Sequence, residues 1–199
     1  MKNLVVILDA GHGKDTPGKC SPDKSLYEWQ WNREIVAMLC ERLYGLNVET
    51  VILVPEENDV PLKERVRRVN TIYHDAKIDG KECLLISVHI NAAGHGTWNK
   101  ASGWSVWVSN NASEKSKQFA KIAYEQAKLL DLWGNRVVPK ENYWTSNFYI
   151  LKNTPCPAVL TENMFQDNHD DVAFLKSEEG KLKIVDLHVN AVKKYIEEC

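Results

Sequence analysis

The chain alternates between short apolar runs and longer stretches in which apolar and polar residues follow a helical period. The apolar runs, which are rich in Val, Ile and Leu, predict six strands at 4–9, 50–54, 83–90, 103–109, 147–151 and 158–162. Apolar residues spaced three and four apart predict helices at 27–44, 61–75, 114–130 and 178–198.

This alternation of strands and helices predicts an α/β fold. We expect a single domain over residues 1–199, built on a six-stranded, mostly parallel, twisted sheet with helices on both faces. Continuous apolar strands are typical of a sheet that is covered on both sides. A length of 199 residues suits one domain, and 44% hydrophobic and 26% charged residues are ordinary for a globular protein.

Charge and cysteine content exclude several classes of protein. A net charge of -2 gives no basic surface for nucleic acid. No apolar stretch is long enough for a transmembrane segment or a signal peptide, so we expect a chain made in the cytoplasm. We also expect a monomer. The five cysteines are scattered and form no CxxC pair, which argues against both a disulfide framework and a cysteine zinc site.

Three candidate functional side chains stand where predicted strands end. His12 follows the first strand in "DAGHG", His89 ends the third in "SVHINA", and Glu162 ends the last in "PAVLTENMF". Each alone has an ordinary explanation: a turn histidine, a buried histidine, or a carboxylate paired with a lysine or arginine. Ligands of open α/β sheets bind beyond the carboxyl ends of the strands, and two such histidines should open onto the same edge.

Glu28 has two interpretations that the sequence leaves open. With Ser25 it forms a capping-box pattern at the start of a predicted helix, where a carboxylate suits the helix dipole. It also shares a helical face with Asn32, Ile35 and Leu39, which directs it towards the sheet edge.

The combination of two imidazoles and one carboxylate is a known catalytic zinc set that leaves the fourth position for water. A cation there lowers the pKa of water to about 7 and polarises a carbonyl. A second carboxylate nearby can take a proton from that water and pass one to a leaving amine. The chemistry predicted is therefore amide hydrolysis.

Five motifs now carry a resemblance to a known family. "LDAGHG", "EWQWN", "LKERVRRVN", "ISVHINA" and "PAVLTENMFQDN" occur in this order. The chain resembles the zinc-dependent N-acetylmuramoyl-L-alanine amidases of the type-3 amidase family from residue 4 to about residue 196. It departs from them at Met164, where a glycine is common.

The resemblance implies a role for each of the four candidates. His12, Glu28 and His89 would be the ligands of Zn²⁺, and Glu162 would be the catalytic carboxylate. The substrate would be peptidoglycan, cleaved at the amide between N-acetylmuramic acid and L-alanine. A phage or prophage endolysin that reaches the cell wall through a holin, or by another non-classical route, would fit these features.

The sequence also gives expectations for four further residues. Asn91, Arg65 and Arg136 are expected to contact the substrate, although local capping or surface ion pairs also explain them. His95, in a second "GHG", is expected in a loop and not as a metal ligand. Two other functions remain open: a zinc carboxypeptidase or aminopeptidase, and a non-catalytic peptidoglycan-binding module.

Overall fold

The computed structural model describes residues 3–94 and 96–198, so the prediction for His95 lies outside the described residues. The strands are β1 (Leu4–Ala10), β2 (Glu49–Ile52), β3 (Glu82–Asn91), β4 (Ser105–Val108), β5 (Trp144–Thr145) and β6 (Ala158–Phe165). The helices are α1 (Glu28–Gly45), α2 (Leu62–Ile78), α3 (Glu114–Leu129), α4 (Tyr149–Lys152), α5 (His169–Lys176) and α6 (Glu178–Glu198).

The six strands form one sheet in the order β2-β1-β3-β6-β4-β5. Every described pairing is parallel except that of β4 with β6, which is antiparallel. The prediction of a six-stranded, mostly parallel sheet is confirmed. Since β1, β3 and β6 are central and parallel, their carboxyl ends lie at one edge, where such sheets bind ligands.

Helices cover both faces of the sheet, as predicted. One core joins alternate residues of β1 and β3, such as Val6 and Ile86, to buried residues of α1, α3 and α6. A second core joins the intervening residues, such as Ile7 and Leu85, to α2 and α4. Because successive side chains of a strand point to opposite faces, strands buried on both sides need continuous apolar sequence.

Two predictions for the second half of the chain were wrong. The expected strand at 147–151 overlaps the short helix α4, in which the adjacent residues Ile150 and Leu151 are both buried. Short apolar runs do not distinguish a strand from a buried helical turn. The sequence interpretation also missed α5, which starts beside β6, where the Asn168 side chain accepts hydrogen bonds from two backbone N–H groups.

None of the helices in the described part of the chain is both long and apolar enough to cross a membrane.

Candidate metal centre

Three side chains converge at the carboxyl ends of β1 and β3. His12 follows β1, His89 lies near the end of β3, and Glu28 is the first residue of α1. Oε1 of Glu28 lies 3.4 Å from Nε2 of His12 and 3.2 Å from Nδ1 of His89. One ligand atom from each residue falls within 4.8 Å of the others, a spacing at which they could hold one metal ion.

Glu28 does not cap its helix, so the capping-box interpretation was wrong. Tyr27 occupies the N-cap position without a side-chain hydrogen bond. The Glu28 carboxylate instead accepts a hydrogen bond of 3.0 Å from the backbone N–H of Ile90, across the interface between α1 and β3. This contact directs the completely buried carboxylate to the sheet edge.

The glycines on either side of His12 provide space for neighbouring groups. A Cβ atom at Gly11 would overlap the imidazole of His89, and one at Gly13 would overlap the backbone of Asp59. His12 itself has a φ of +60°, in the left-handed region that non-glycine residues rarely adopt. Its carbonyl oxygen accepts hydrogen bonds from Arg33 (3.0 Å) and Arg65 (3.2 Å), which stabilise this conformation.

Glu28 and each of the two histidines shift one another's pKa values. Burial lowers the pKa of His12 to about 4, although the charge of Glu28 opposes the shift. Burial also opposes ionisation of His89 and Glu28, but their mutual hydrogen bond and charges raise the pKa of His89 and lower that of Glu28. At neutral pH His12 is uncharged, as an imidazole must be to bind a metal.

The donor set fits a divalent cation. Oε2 of Glu28 is buried without a hydrogen-bond partner, and its nearest cation, Nζ of Lys19, lies 4.0 Å away. A buried carboxylate oxygen that lacks a partner is costly. A cation held between His12, Glu28 and His89 would satisfy it, and two histidines with one glutamate match a known zinc set.

Glu162 lies opposite the centre on the neighbouring strand. Its Cα pairs with that of His89 in the parallel ladder of β3 and β6, and the register shifts directly afterwards, before Asn91. Met164 occupies this irregularity with a φ of +64°, which explains why glycine suits the position. Oε2 of Glu162 is buried and unpartnered, and burial raises the pKa of this carboxyl to about 7.

A cavity of about 310 Å³ opens over these groups. His12, His89 and Glu162 line it together with Lys19, Asp59 and an apolar wall that includes Leu62, Tyr149 and Leu160. Its volume lies at the lower end of the range of ligand sites. Two of the three side chains that could hold a cation, His12 and His89, thus line the same cavity as Glu162.

Arg65 lines the same cavity but is already fully engaged. Its five N–H donors bind the carboxylates of Asp9 and Asp59 and the carbonyl oxygens of Val60, Ala10 and His12. No donor remains for a substrate carboxylate, which argues against the predicted substrate contact. Arg65 instead anchors the turn that carries His12.

The other two predicted substrate contacts, Asn91 and Arg136, do not line this cavity. The Oδ1 atom of Asn91 accepts a hydrogen bond of 2.8 Å from the N–H of Ala92, a local cap. The guanidinium of Arg136 lies 4.8 Å from the ring centroid of Trp144 and 5.0 Å from that of Phe165. Its Nε is buried without a partner, and its charge favours the ionised form of Glu162.

Sequence reasoning missed two residues of the site. Asp9 accepts hydrogen bonds from Arg65 (2.7 Å) and Ser87 (2.6 Å) beneath the His12 turn. An aspartate that ends an apolar strand needs such partners, and that signal was present in "LVVILDAGHG". No sequence pattern indicated that Lys19 would lie at the site, because its position depends on an isolated bridge between Cys20 and Tyr27.

Comparison with known proteins gives a consistent result. Residues 6–194 match the model of a family described as N-acetylmuramoyl-L-alanine amidase. The chain is 29% identical over 195 residues to the endolysin of Bacillus phage SPP1, covering 94% of this chain and 64% of that protein. It is 26% identical over 192 residues to the N-acetylmuramoyl-L-alanine amidase CwlM of Bacillus licheniformis, covering 95% of this chain and 67% of that protein.

A solved structure has the same fold. The N-acetylmuramoyl-L-alanine amidase from Clostridium difficile 630 superposes with a TM-score of 0.81 at 23% identity, covering 98% of this chain and 97% of that one.

Proposed function

Because the chain belongs to the N-acetylmuramoyl-L-alanine amidase family, we propose that it hydrolyses the amide between N-acetylmuramic acid and L-alanine in peptidoglycan with a divalent cation, zinc, held by His12, Glu28 and His89. One observation carries the proposal. In a chain that matches the family over residues 6–194, three potential metal ligands converge, and two of them, His12 and His89, line one cavity with the unpartnered Glu162.

Neighbouring groups hold two of the three ligand residues in place. Glu28 is fixed by the N–H of Ile90, and His12 is fixed through its carbonyl oxygen by Arg33 and Arg65. The ion would supply Lewis acidity, which lowers the pKa of water and polarises the amide carbonyl. The protein's own contribution is a set of ligands positioned before the substrate arrives.

Glu162 would act as the general base and then as the general acid. Its Oε2 has no partner in the structure, so it is free to accept a proton from the attacking water. The carboxylic acid so formed would donate that proton to the nitrogen of the leaving L-alanine. The water oxygen would form the new C–O bond at the carbonyl carbon, and the amide C–N bond would break. L-alanine would leave as the amine, the lactyl group would keep the new carboxyl group, and Glu162 would be regenerated.

We also propose that the enzyme acts on the cell wall, and one of its relatives supports this. The chain spans 64% of the length of the SPP1 endolysin, which it resembles at 29% identity. That relative's name supports a lytic enzyme that acts on the cell wall. The route by which the chain would reach the wall stays a prediction. Because a single chain supplies all four proposed residues, we expect a monomer to be active.

Removal of the metal tests this proposal. We expect the purified protein to bind one zinc ion per chain, and Glu28→Gln to weaken zinc affinity by about 100-fold or more, because the neutral amide is a poor ligand. Chelation of the wild-type protein should abolish release of peptides from purified sacculi, and zinc should restore it. Metal analysis after dialysis and a release assay measure both effects.

Glu34→Gln is the matched control. Glu34 lies on the same helix, but it is exposed and pairs with Lys181 at 2.6 Å. This variant should retain zinc and activity. Full activity of the chelated wild-type protein, or unchanged zinc affinity of Glu28→Gln, would refute the proposed centre.

A further inference from the structure

A buried network of hydrogen bonds lies behind the candidate metal centre, on the face of β6 that is turned away from the cavity. Thr161 and Asn163 flank Glu162 in the sequence, and alternation along a strand directs their side chains to the face opposite to that of Glu162. Both are completely buried, at 0% exposure. Neither residue lines the cavity over the centre, and neither takes part in the proposed hydrolysis.

The side chain of Asn163 reaches the neighbouring strand. Its Nδ2 donates a hydrogen bond of 2.8 Å to the backbone carbonyl oxygen of His89. This contact lies where the register of β3 and β6 shifts, directly after the pair formed by His89 and Glu162. The amide therefore links the backbone of a proposed metal ligand to the residue that follows the proposed general base.

The neighbours of Asn163 fix the orientation of its amide. The indole Nε1 of Trp104, which can only donate, gives a hydrogen bond of 2.8 Å to Oδ1 of Asn163. The amide nitrogen must therefore point the other way, towards the carbonyl of His89 and, at 3.3 Å, the hydroxyl oxygen of Thr161. That hydroxyl donates in turn to Nε2 of His188 at 3.1 Å.

His188, on α6, ends the network as an acceptor. Its Nδ1 lies 2.7 Å from the carbonyl oxygen of Ile184, which can only accept, so Nδ1 carries the proton and Nε2 is free to accept. Burial lowers the pKa of His188 to about 4, so the ring is uncharged at neutral pH. No buried polar atom of the four side chains lacks a partner, and their donors and acceptors match in a single arrangement.

We propose that Asn163 is a positioning residue, which sets the position of His89 relative to Glu162 through its hydrogen bond to the His89 carbonyl. A bulge disrupts the ladder locally, so a side-chain hydrogen bond at this point replaces a constraint that a regular sheet would supply. Trp104, Thr161 and His188 hold the amide in the one orientation that serves this carbonyl. The inference rests on the proposed function, which assigns roles to His89 and Glu162.

Replacement of Asn163 by leucine tests this role. Leucine has a similar volume but no donor for the His89 carbonyl. We expect kcat for a soluble muropeptide to fall by about 10- to 100-fold with KM unchanged, and zinc affinity to fall by about tenfold. Steady-state kinetics measures the first effect, and competition with a chelator measures the second without any substrate.

Val192→Ala is the matched control for a loss of stability. Val192 lies on α6 one turn after His188 and is completely buried, but its side chain has no polar atoms. Its truncation leaves a cavity in the same core, so the midpoint of thermal unfolding should fall. Both kcat and zinc affinity should stay at the wild-type values.

Two variants of Thr161 separate hydrogen bonding from packing. Thr161→Ser keeps the hydroxyl but loses a methyl group, and it should retain kcat and zinc affinity. Thr161→Val keeps the shape but removes the partner of both an Asn163 N–H and Nε2 of His188, so kcat and zinc affinity should each fall by about threefold or more. A role in packing alone would reverse this order, since valine preserves the volume and serine does not.

Unchanged kcat and zinc affinity in Asn163→Leu, an equal loss in Val192→Ala, or the reversed order of the two Thr161 variants would overturn the positioning role. If Asn163→Leu does not fold, the Thr161 variants decide the question. The two proposals fail separately. A wild-type protein that binds zinc but leaves sacculi intact would contradict the amidase, while the zinc affinities still test the positioning. Cleaved sacculi with unaffected variants would contradict only the positioning.

Discussion

Replacement of Glu162 by glutamine is expected to lower kcat for hydrolysis of a soluble muropeptide by about 1,000-fold. The amide has nearly the same shape as the carboxylate but cannot accept a proton from water. Since Glu162 is not one of the three converging ligand residues, zinc content and KM should remain close to those of the wild-type protein. Steady-state kinetics with metal analysis of the same samples measures all three quantities.

Glu57→Gln serves as the control for this substitution. Glu57 is an exposed carboxylate near the site that pairs with Lys14 instead of lining the cavity. Its replacement should leave kcat unchanged. A kcat for Glu162→Gln within tenfold of the wild-type value would show that another group transfers the proton.

Arg65→Met is expected to reduce the free energy of unfolding by about 3–5 kcal/mol. Arg65 is 2% exposed, and its guanidinium binds the buried carboxylate of Asp9 at 2.7 Å. Methionine fills similar space but leaves that carboxylate without its counter-charge. Urea denaturation monitored by tryptophan fluorescence measures the loss.

A neighbouring arginine and a double variant make this result specific. Arg67 lies on the same helix, is exposed, and pairs with Glu64, so Arg67→Met should cost less than about 1 kcal/mol. Adding Asp9→Asn to Arg65→Met should recover part of the loss, because the uncompensated charge is removed. A loss below about 1 kcal/mol for Arg65→Met would contradict its anchoring role.

The sequence was sufficient to predict the arrangement of the site. Parallel strands bring their carboxyl ends to one edge, so a strand-end position alone indicated that His12, His89 and Glu162 would meet. Two competing explanations for Glu28 could not be separated in this way. Its carboxylate is directed by the N–H of Ile90, a contact 62 residues away in the chain that no local pattern contains.

Other details depended on contacts that a pattern does not encode. The run at 147–151 is apolar enough for a strand, but burial of the adjacent side chains of Ile150 and Leu151 requires a helical turn. From the sequence, Arg65 in the "LKERVRRVN" motif could have contacted a substrate. In the structure its donors bind five acceptors in residues 9–12 and 59–60, two segments that are distant in the sequence.

Mass spectrometry of the products released from purified sacculi tests the central claim most directly. The zinc-loaded enzyme should release stem peptides with new L-alanine amino termini, while the glycan strands stay intact and gain no reducing ends. Glu162→Gln should release about 1,000-fold less in the same time. Cleavage at bonds within the stem peptide would indicate a zinc peptidase, and binding without any release would indicate a non-catalytic module; either result would contradict the account.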